Sequence, residues 1–214
     1  GTPVINLGSA TGAIPAGVTG GAGLTGSTSL GTVTVGNISH ADIVYPAGHI
    51  VQTKTIQLTA RQLIGNGVDT GTTFVTIGTG DANEFETPFA LSHENNKLVS
   101  FGFVNAADTG RYGFIKIFAA STQIACPPAD GDRSRVTMEV GSNNEATNDT
   151  YKMWAMPFNF VYLPGTTNSI TYKIQGGSNG AADKLRINQP HYSDSNASWF
   201  AIGISTWTLM EVVV

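Results

Sequence analysis

The chain has 214 residues and a formal net charge of −4, and its charged fraction of 12% is about half of the roughly 25% usual for soluble domains. With only 11 Lys and Arg residues and no basic run, the sequence argues against a nucleic-acid partner. It also contains no stretch of about 20 apolar residues, so we expect no membrane insertion.

The first 45 residues differ in composition from the rest of the chain. Between Gly8 and Gly36 the sequence is mainly Gly, Thr, Ser and Ala with isolated Val, Leu and Ile, which is too little apolar material for a core. One interpretation is a flexible linker. We favour an extended fibre stem intertwined with copies of itself, which predicts a stem over 1–45 and a head over 46–214. Because the sequence begins at Gly1 without an initiating Met or a signal peptide, we expect a longer or processed chain.

This Gly-rich region contains a GxGxxG match at Gly21, Gly23 and Gly26. A dinucleotide site needs a preceding strand, a following helix and an acidic residue about 20 positions later. No helical period follows, and the next carboxylate is Asp42, so the match reflects composition. A collagen-like structure is excluded because Gly does not recur at every third position.

From residue 46 onward, short apolar or alternating runs are separated by clusters of Gly, Asn, Asp and Pro, which are turn residues. This spacing predicts an all-β antiparallel sandwich or barrel with few helical residues. The predicted strands cover residues 49–58, 72–78, 85–91, 97–105, 111–119, 135–140, 151–162, 170–175, 184–188 and 204–214.

Two of these strands show clear faces. Residues Val99, Phe101 and Phe103 share one face of strand 97–105, and strand 170–175 alternates with Ile170, Tyr172 and Ile174 inward. The closing strand is unusual because both of its faces are apolar or neutral apart from Glu211. A half-buried strand should alternate apolar with polar residues, so something is expected to cover both faces.

An even number of antiparallel strands brings the two ends of the head together beside the stem. The sequence therefore predicts that loops 60–71, 92–97, 121–132, 163–168 and 190–203 lie at the far tip.

Several segments resemble the C-terminal heads of bacteriophage tail fibres and minor structural proteins. The similar segments are PAGHIVQTKT (46–55), STQIA (121–125), RSRVTMEV (133–140), FNFVYLPGTTNSITYKIQ (158–175) and STWTLMEV (205–212), and GGAGLTGSTSLGTVTVGNI (20–38) resembles a fibre stem. The resemblance is spread over most of the chain. Trp207, where a smaller residue is expected, and the loop at 188–200 depart from the pattern.

The resemblance implies a jelly-roll head similar to tumour-necrosis-factor-like heads, assembled as a homotrimer. It implies a virion location, an extracellular role in attachment, a host surface glycan or protein receptor, and other tail or virion proteins bound through the N-terminal end. A final strand inside a trimer would be covered on both faces. We therefore expect either Met210 and Val212 or the Trp207–Leu209 face to line the threefold axis.

Candidate chemistry is sparse, and we expect no enzyme, no cofactor and no metal. Glu84 and Glu86 could form a glycosidase pair, but we favour the simpler interpretation of a solvated strand end. The histidines His40, His49, His93 and His191 have no metal-ligand spacing. Asp130 and Asp132 resemble part of a calcium loop without its later ligands, and Cys126 is expected to be a small buried hydrophobe.

Binding is therefore the predicted role. Polar and aromatic side chains in the predicted tip loops suit saccharides, although Trp199 could instead belong to the core. The candidate receptor-binding residues are Asn66, His93, Asn95, Asn96, Asp130, Asp132, His191, Tyr192, Asp194 and Trp199. Alternative functions are a structural or decorating virion fibre without receptor binding, a surface-polysaccharide-degrading enzyme, and a secreted signalling-type trimer.

Overall fold

A computed structural model describes residues 45–64, 74–108, 112–131, 134–141, 153–178, 185–190 and 201–214. These residues belong to one unit, Tyr45–Val214, which is separate from Gly1–Val44. The predicted stem therefore lies outside the described residues, apart from Tyr45.

The described residues form strands and turns, without a helix, as the sequence predicts. The strands are β1 (Ile50–Leu58), β2 (Gln62–Ile64), β3 (Val75–Thr76), β4 (Glu86–Phe89), β5 (Lys97–Asp108), β6 (Tyr112–Ala119), β7 (Thr122–Ile124), β8 (Met138–Gly141), β9 (Trp154–Tyr162), β10 (Ile170–Ser178), β11 (Leu185–Ile187) and β12 (Ser205–Val212). All ten predicted strands are present, and the short β2 and β7 were not predicted.

The first sheet, called sheet I below, is built around the long strand β5. Strand β9 pairs with one edge of β5, while β12 and β11 pair one after the other with the opposite edge. Strand β1 then pairs with β12, and β2 pairs with β11. Every one of these pairs is antiparallel.

The second sheet, sheet II, is built around β10 and β6, which pair with each other. The other edge of β10 pairs with β4 and then β3, and the other edge of β6 pairs with β7 and β8. These pairs are also antiparallel.

Four positions in the sandwich each hold two strands that lie in line, so the twelve strands fill eight positions. Sheet I has the order β1/β2, β12/β11, β5, β9, and sheet II has the order β3/β4, β10, β6, β7/β8. Two four-position antiparallel sheets in this order form a jelly roll, which confirms the predicted fold class.

The two ends of the head lie side by side, as predicted. The Gly48 N–H donates to Val213 O at 2.8 Å, and Ile50 pairs with Val212. The described chain therefore starts and finishes at the same end of the sandwich.

The predicted positions of most loops are wrong. The sequence predicts a reversal between strands 72–78 and 85–91, but β3 and β4 both run antiparallel to β10 and so point the same way. Because the chain does not change direction between β3 and β4, the loops that follow lie at the end of the sandwich opposite to the predicted one. The connections 90–96, 120–121 and 163–169 therefore lie beside the chain ends, since Lys97 pairs with Val212 and Leu98 with Tyr162.

Most of the predicted tip loop 190–203 lies outside the described residues. Strands β11 and β12 run in the same direction along β5, and the Gly203 N–H donates to Asn188 O at 3.1 Å. The described residues on either side of this loop are therefore neighbours in sheet I.

The core lies between the sheets and is centred on Trp207, which is fully buried. Its ring packs edge-on against Phe85 from the segment before β4, with ring centroids 5.9 Å apart. The indole Nε1–H donates to Ser100 Oγ at 2.8 Å, which satisfies its buried polar group. Tyr172 and Ile174 are buried in this core as predicted, while Ile170 packs against it partly exposed.

Candidate functional site

The outward side of sheet I carries three rows of side chains, each running across four strands. Cross-strand partners in an antiparallel sheet point to the same side, so the register defines these rows. They contain Thr53–Met210–Val99–Val161, Thr55–Thr208–Phe101–Asn159 and Gln57–Thr206–Phe103–Pro157. These twelve residues are called the outer face below.

The outer face contains no charged side chain, although several of its residues are open to solvent. Phe101 is 40% exposed and Val161 is 61% exposed. The solvent side of an antiparallel sheet is normally polar and charged. A patch of exposed aromatic and aliphatic side chains on such a side is typical of a contact with another molecule.

The size of the outer face suits a subunit contact. Four strands spaced about 4.8 Å apart and six residues rising about 3.4 Å each give a face on the order of 400 Å². A standard interface buries about 800 Å² on each partner. One outer face therefore supplies about half of such an interface, before its margins are counted.

The structure corrects two of the four predicted trimer residues. Trp207 is 0% exposed and Leu209 is 1% exposed, because both side chains point between the sheets of their own chain. They belong to the core and have no surface to offer to another subunit. Met210 lies on the outer face, and Val212 follows it on the same side of β12 with 8% of its area exposed.

A buried carboxylate joins the C-terminal strand to the connection before β5. Both oxygens of Glu211, which is 0% exposed, accept hydrogen bonds: Oε1 from the Ser92 N–H at 2.8 Å, Ser92 Oγ at 2.6 Å and Asn96 Nδ2 at 2.6 Å, and Oε2 from Gln52 Nε2 at 2.6 Å. Burial raises the pKa of Glu211, but the hydrogen bonds from Asn96, Ser92 and Gln52 outweigh it and lower that pKa below its ordinary value. The group is therefore a structural anion.

This cluster corrects the role predicted for Asn96. The residue is 6% exposed and donates its side-chain amide to Glu211. It therefore holds the connection in place and has no amide free for a receptor. Its neighbours His93 and Asn95 are exposed, and the Asn95 N–H donates to His93 Nδ1 at 3.2 Å.

Of the seven remaining predicted receptor residues, one belongs to the part of the chain that the structure describes. Asp130 is exposed in the segment between β7 and β8, at the edge of sheet II. Six others lie outside the described residues: Asn66, Asp132, His191, Tyr192, Asp194 and Trp199. His93 and Asn95 lie in the connection between β4 and β5, and Asp130 lies in a different connection, between β7 and β8.

Neither a metal cluster nor a membrane helix is found where the structure describes the chain. In those ranges no three His, Cys, Asp or Glu side chains are placed to hold an ion. Nor do they contain a helix with the length and hydropathy to cross a bilayer.

Cys126 differs from its prediction as a small buried hydrophobe, since it is only partly buried. The Arg135 guanidinium donates to its Sγ at 3.1 Å, and Arg135 Nε also donates to Pro127 O at 2.8 Å. These bonds attach the segment before β8 to the segment after β7.

Glu84 and Glu86 lie beside a groove at the edge of the sandwich that sequence reasoning did not predict. The groove is formed by β1 on one side and by residues 82–87 on the other. The only sequence signal for it was the pair of glutamates, because the lysine and the glutamine opposite them are about thirty positions away in the chain.

No protein-family model matches the chain, and no curated protein matches it significantly. Among solved structures, infectious bursal disease virus of the Gt strain is similar at 16% identity and a TM-score of 0.38, over 78% of this chain and 39% of that one. The VP2 subviral particle of the same virus is similar at 13% identity and a TM-score of 0.36, over 76% of this chain and 41% of that one.

Particles of T=1 symmetry derived from the same virus give 13% identity and a TM-score of 0.35, over 84% of this chain and 44% of that one. The chain thus spans about two fifths of the length of these structures. TM-scores below 0.5 are too low to carry an argument about fold or function, so the jelly-roll assignment stands on the strand order alone.

Proposed function

We propose that this chain is the head of a homotrimeric viral fibre that attaches a phage particle to the surface of its host cell. The single observation that carries the proposal is the outer face of sheet I. It is uncharged and partly apolar, and it continues through the closing strand, where the sequence predicts a subunit contact. Copies of the same chain are the simplest cover for such a face, because an uncharged surface complements itself.

The number of subunits and the attachment role come from the resemblance of the sequence to phage fibre heads. The described strands support the fold that this resemblance implies, since their order is that of a jelly roll. The location in the virion, the contact with other tail or virion proteins through the N-terminal end, and the absence of enzymatic activity are parts of the same proposal.

The receptor-facing end is proposed from the course of the chain within the head. The described head begins beside Gly48, and strands β2, β5, β8 and β10 finish at the opposite end. The strand ends Ile64, Gly141 and Ser178 therefore lie at that end. Among the predicted receptor residues, Asn66 alone follows one of these strand ends within a few positions in the sequence, so we propose it ahead of His93, Asn95 and Asp130.

Two measurements test the proposal. Sedimentation velocity of the full chain is expected to give a trimer at micromolar concentration. Fluorescently labelled protein is expected to bind the cells of some strains in a bacterial panel, and unlabelled protein should compete for that binding. A monomer would contradict the trimer, and a trimer that binds no cell would favour the structural or decorating fibre.

A third assay separates attachment from catalysis. If the protein degraded surface polysaccharide, reducing ends would accumulate when it is incubated with polysaccharide purified from the strains that it binds. We expect none above the heat-inactivated control, and a steady release would overturn the non-enzymatic proposal.

A further inference from the structure

A groove of about 610 Å³ runs along one edge of the sandwich, between β1 of sheet I and the segment 82–87 of sheet II. Its volume falls within the range of roughly 300–1,000 Å³ that is typical of small-molecule sites. It lies at the edge of the sandwich, and it shares Thr55 and Gln57 of β1 with the margin of the outer face.

Two bridges between the sheets define the ends of this groove. At one end Gln52 Nε2 donates to Ala90 O at 2.6 Å, and Lys54 Nζ donates to Pro88 O at 3.4 Å. At the other end Gln62 accepts from the Gly78 N–H at 2.6 Å and donates to Thr76 O at 3.3 Å. The residues that line the groove, on β1 and in the segment 82–87, lie between these bridges along the chain.

The lining of the groove is mainly polar, with Ile56 and Ala82 as its apolar members. Strand β1 contributes Lys54, Gln57 and threonine hydroxyls, and the opposite wall contributes Asn83, Glu84 and Glu86. Two carboxylates and one ammonium group give it an excess of one negative charge. Carboxylates accept hydrogen bonds from hydroxyls, while amide and ammonium groups donate to hydroxyl and acetal oxygens.

We infer that this groove binds a neutral oligosaccharide, which supplies both kinds of hydrogen-bonding group along its length. An acidic saccharide would be repelled by the glutamates. The inference names a ligand class for the attachment function proposed above, and it rests on that function for the source of the saccharide, the host cell surface.

An added peptide strand fits the groove less well. Such a strand would have to run along the free edge of β1 and pair with its backbone. The Gln52 and Lys54 side chains cross that edge to reach β4, so only Thr55–Thr59 remains open. A peptide strand would be restricted to these five residues of edge, whereas a short oligosaccharide needs no continuous backbone edge.

The test uses the full chain and an immobilised panel of maltotriose, N,N′,N″-triacetylchitotriose and trigalacturonic acid. We expect at least one neutral trisaccharide to bind and the acidic one not to bind. The double variant Glu84→Ala/Glu86→Ala should weaken neutral binding at least tenfold. Glu139→Ala is the matched control, since Glu139 is an exposed glutamate on β8 at the opposite edge of sheet II, and it should bind as the wild type does.

Thermal unfolding of both variants shows whether lost binding reflects lost structure. Lys54→Gln gives a second readout in case the double variant does not fold, and it should also weaken binding of the neutral trisaccharides. Binding that is unchanged in the folded variants would overturn the inference.

The outcomes separate the groove from the attachment function. Cell binding by wild-type protein without binding of a neutral trisaccharide would reject the groove and leave attachment standing. Glutamate-dependent trisaccharide binding without cell binding would keep the groove and reject attachment. Binding of neither would reject both.

Discussion

At the scale of single residues, Glu211 is the clearest case of a charge used for structure. Its carboxylate is fully buried and accepts four hydrogen bonds, from Gln52, Asn96 and twice from Ser92. Each donor lies more than 100 positions earlier in the chain. The bonds therefore close the C-terminal strand onto the first strand and onto the connection before β5.

Glu211→Gln should destabilise the head by about 3 kcal/mol. The glutamine amide has an N–H₂ group where the glutamate has a second acceptor oxygen. This N–H₂ group would face the donors of Gln52 or of Ser92 and Asn96, so buried donors would lose their acceptor. Urea unfolding followed by tryptophan fluorescence measures the change. Glu139→Gln is the control, since Glu139 is exposed, and it should stay within about 0.5 kcal/mol of the wild type. Equal stability of the two variants would show that the cluster contributes nothing.

The lowered pKa of Glu211 also predicts a pH dependence. A carboxyl whose folded pKa lies below its unfolded pKa stabilises the fold at every pH above the unfolded value, about 4.3. That contribution is lost as the pH falls through the lower, folded pKa. Urea midpoints of the wild type should therefore drop below about pH 4, and those of Glu211→Gln should drop less. Parallel curves for the two proteins would contradict this assignment.

At the scale of elements, the split strands depend on the residues where they bend. Asn188 follows β11 with a φ of 58°, and its side chain donates to Leu58 O and Ala60 O, each at 2.9 Å. Its Oδ1 accepts from Ser205 Oγ at 2.6 Å. One buried amide thus joins the corner between β1 and β2 to the start of β12.

Asn188→Ala is expected to cost about 3–4 kcal/mol. It removes the three hydrogen bonds of a buried side chain and puts alanine, which has no side-chain polar group to bond locally, in the left-handed region. Differential scanning calorimetry against Asn168→Ala, an exposed asparagine in the connection before β10, provides the measurement and the control. A loss no greater than that of the control would mean that the bend is held by other contacts.

These bends also explain how far the sequence could predict the fold. The alternation of apolar and polar residues predicted every long strand, because the burial of one side of a strand depends on residues that are close together in the sequence. The direction of a strand is not local: 72–78 and 85–91 look like a hairpin in sequence, yet β3 and β4 lie in line along β10. The groove and the Glu211 cluster were missed for the same reason, since their walls come from distant parts of the chain.

At the scale of the whole molecule, we expect the outer face of sheet I to form the contact between subunits. Phe101→Glu should convert the proposed trimer to a folded monomer, because each subunit would bring a charge into an uncharged contact. Sedimentation velocity measures the oligomer, and the amplitude of the thermal transition confirms that the variant is folded. Thr171→Glu adds the same charge to an exposed position on sheet II and should leave the trimer intact. A trimer of Phe101→Glu would place the contact elsewhere.

The adjacent chain ends, joined where the Gly48 N–H meets Val213 O, have a consequence for engineering. Because the two ends meet, a short linker from Val214 to Tyr45 could close the head into a ring, which could then be reopened elsewhere. The turn at Ala120 and Ser121 is a suitable opening, since both residues are exposed between β6 and β7. Such a circular permutant would carry fused cargo on sheet II instead of sheet I, at the same end of the sandwich, while leaving the pairing of the strands unchanged.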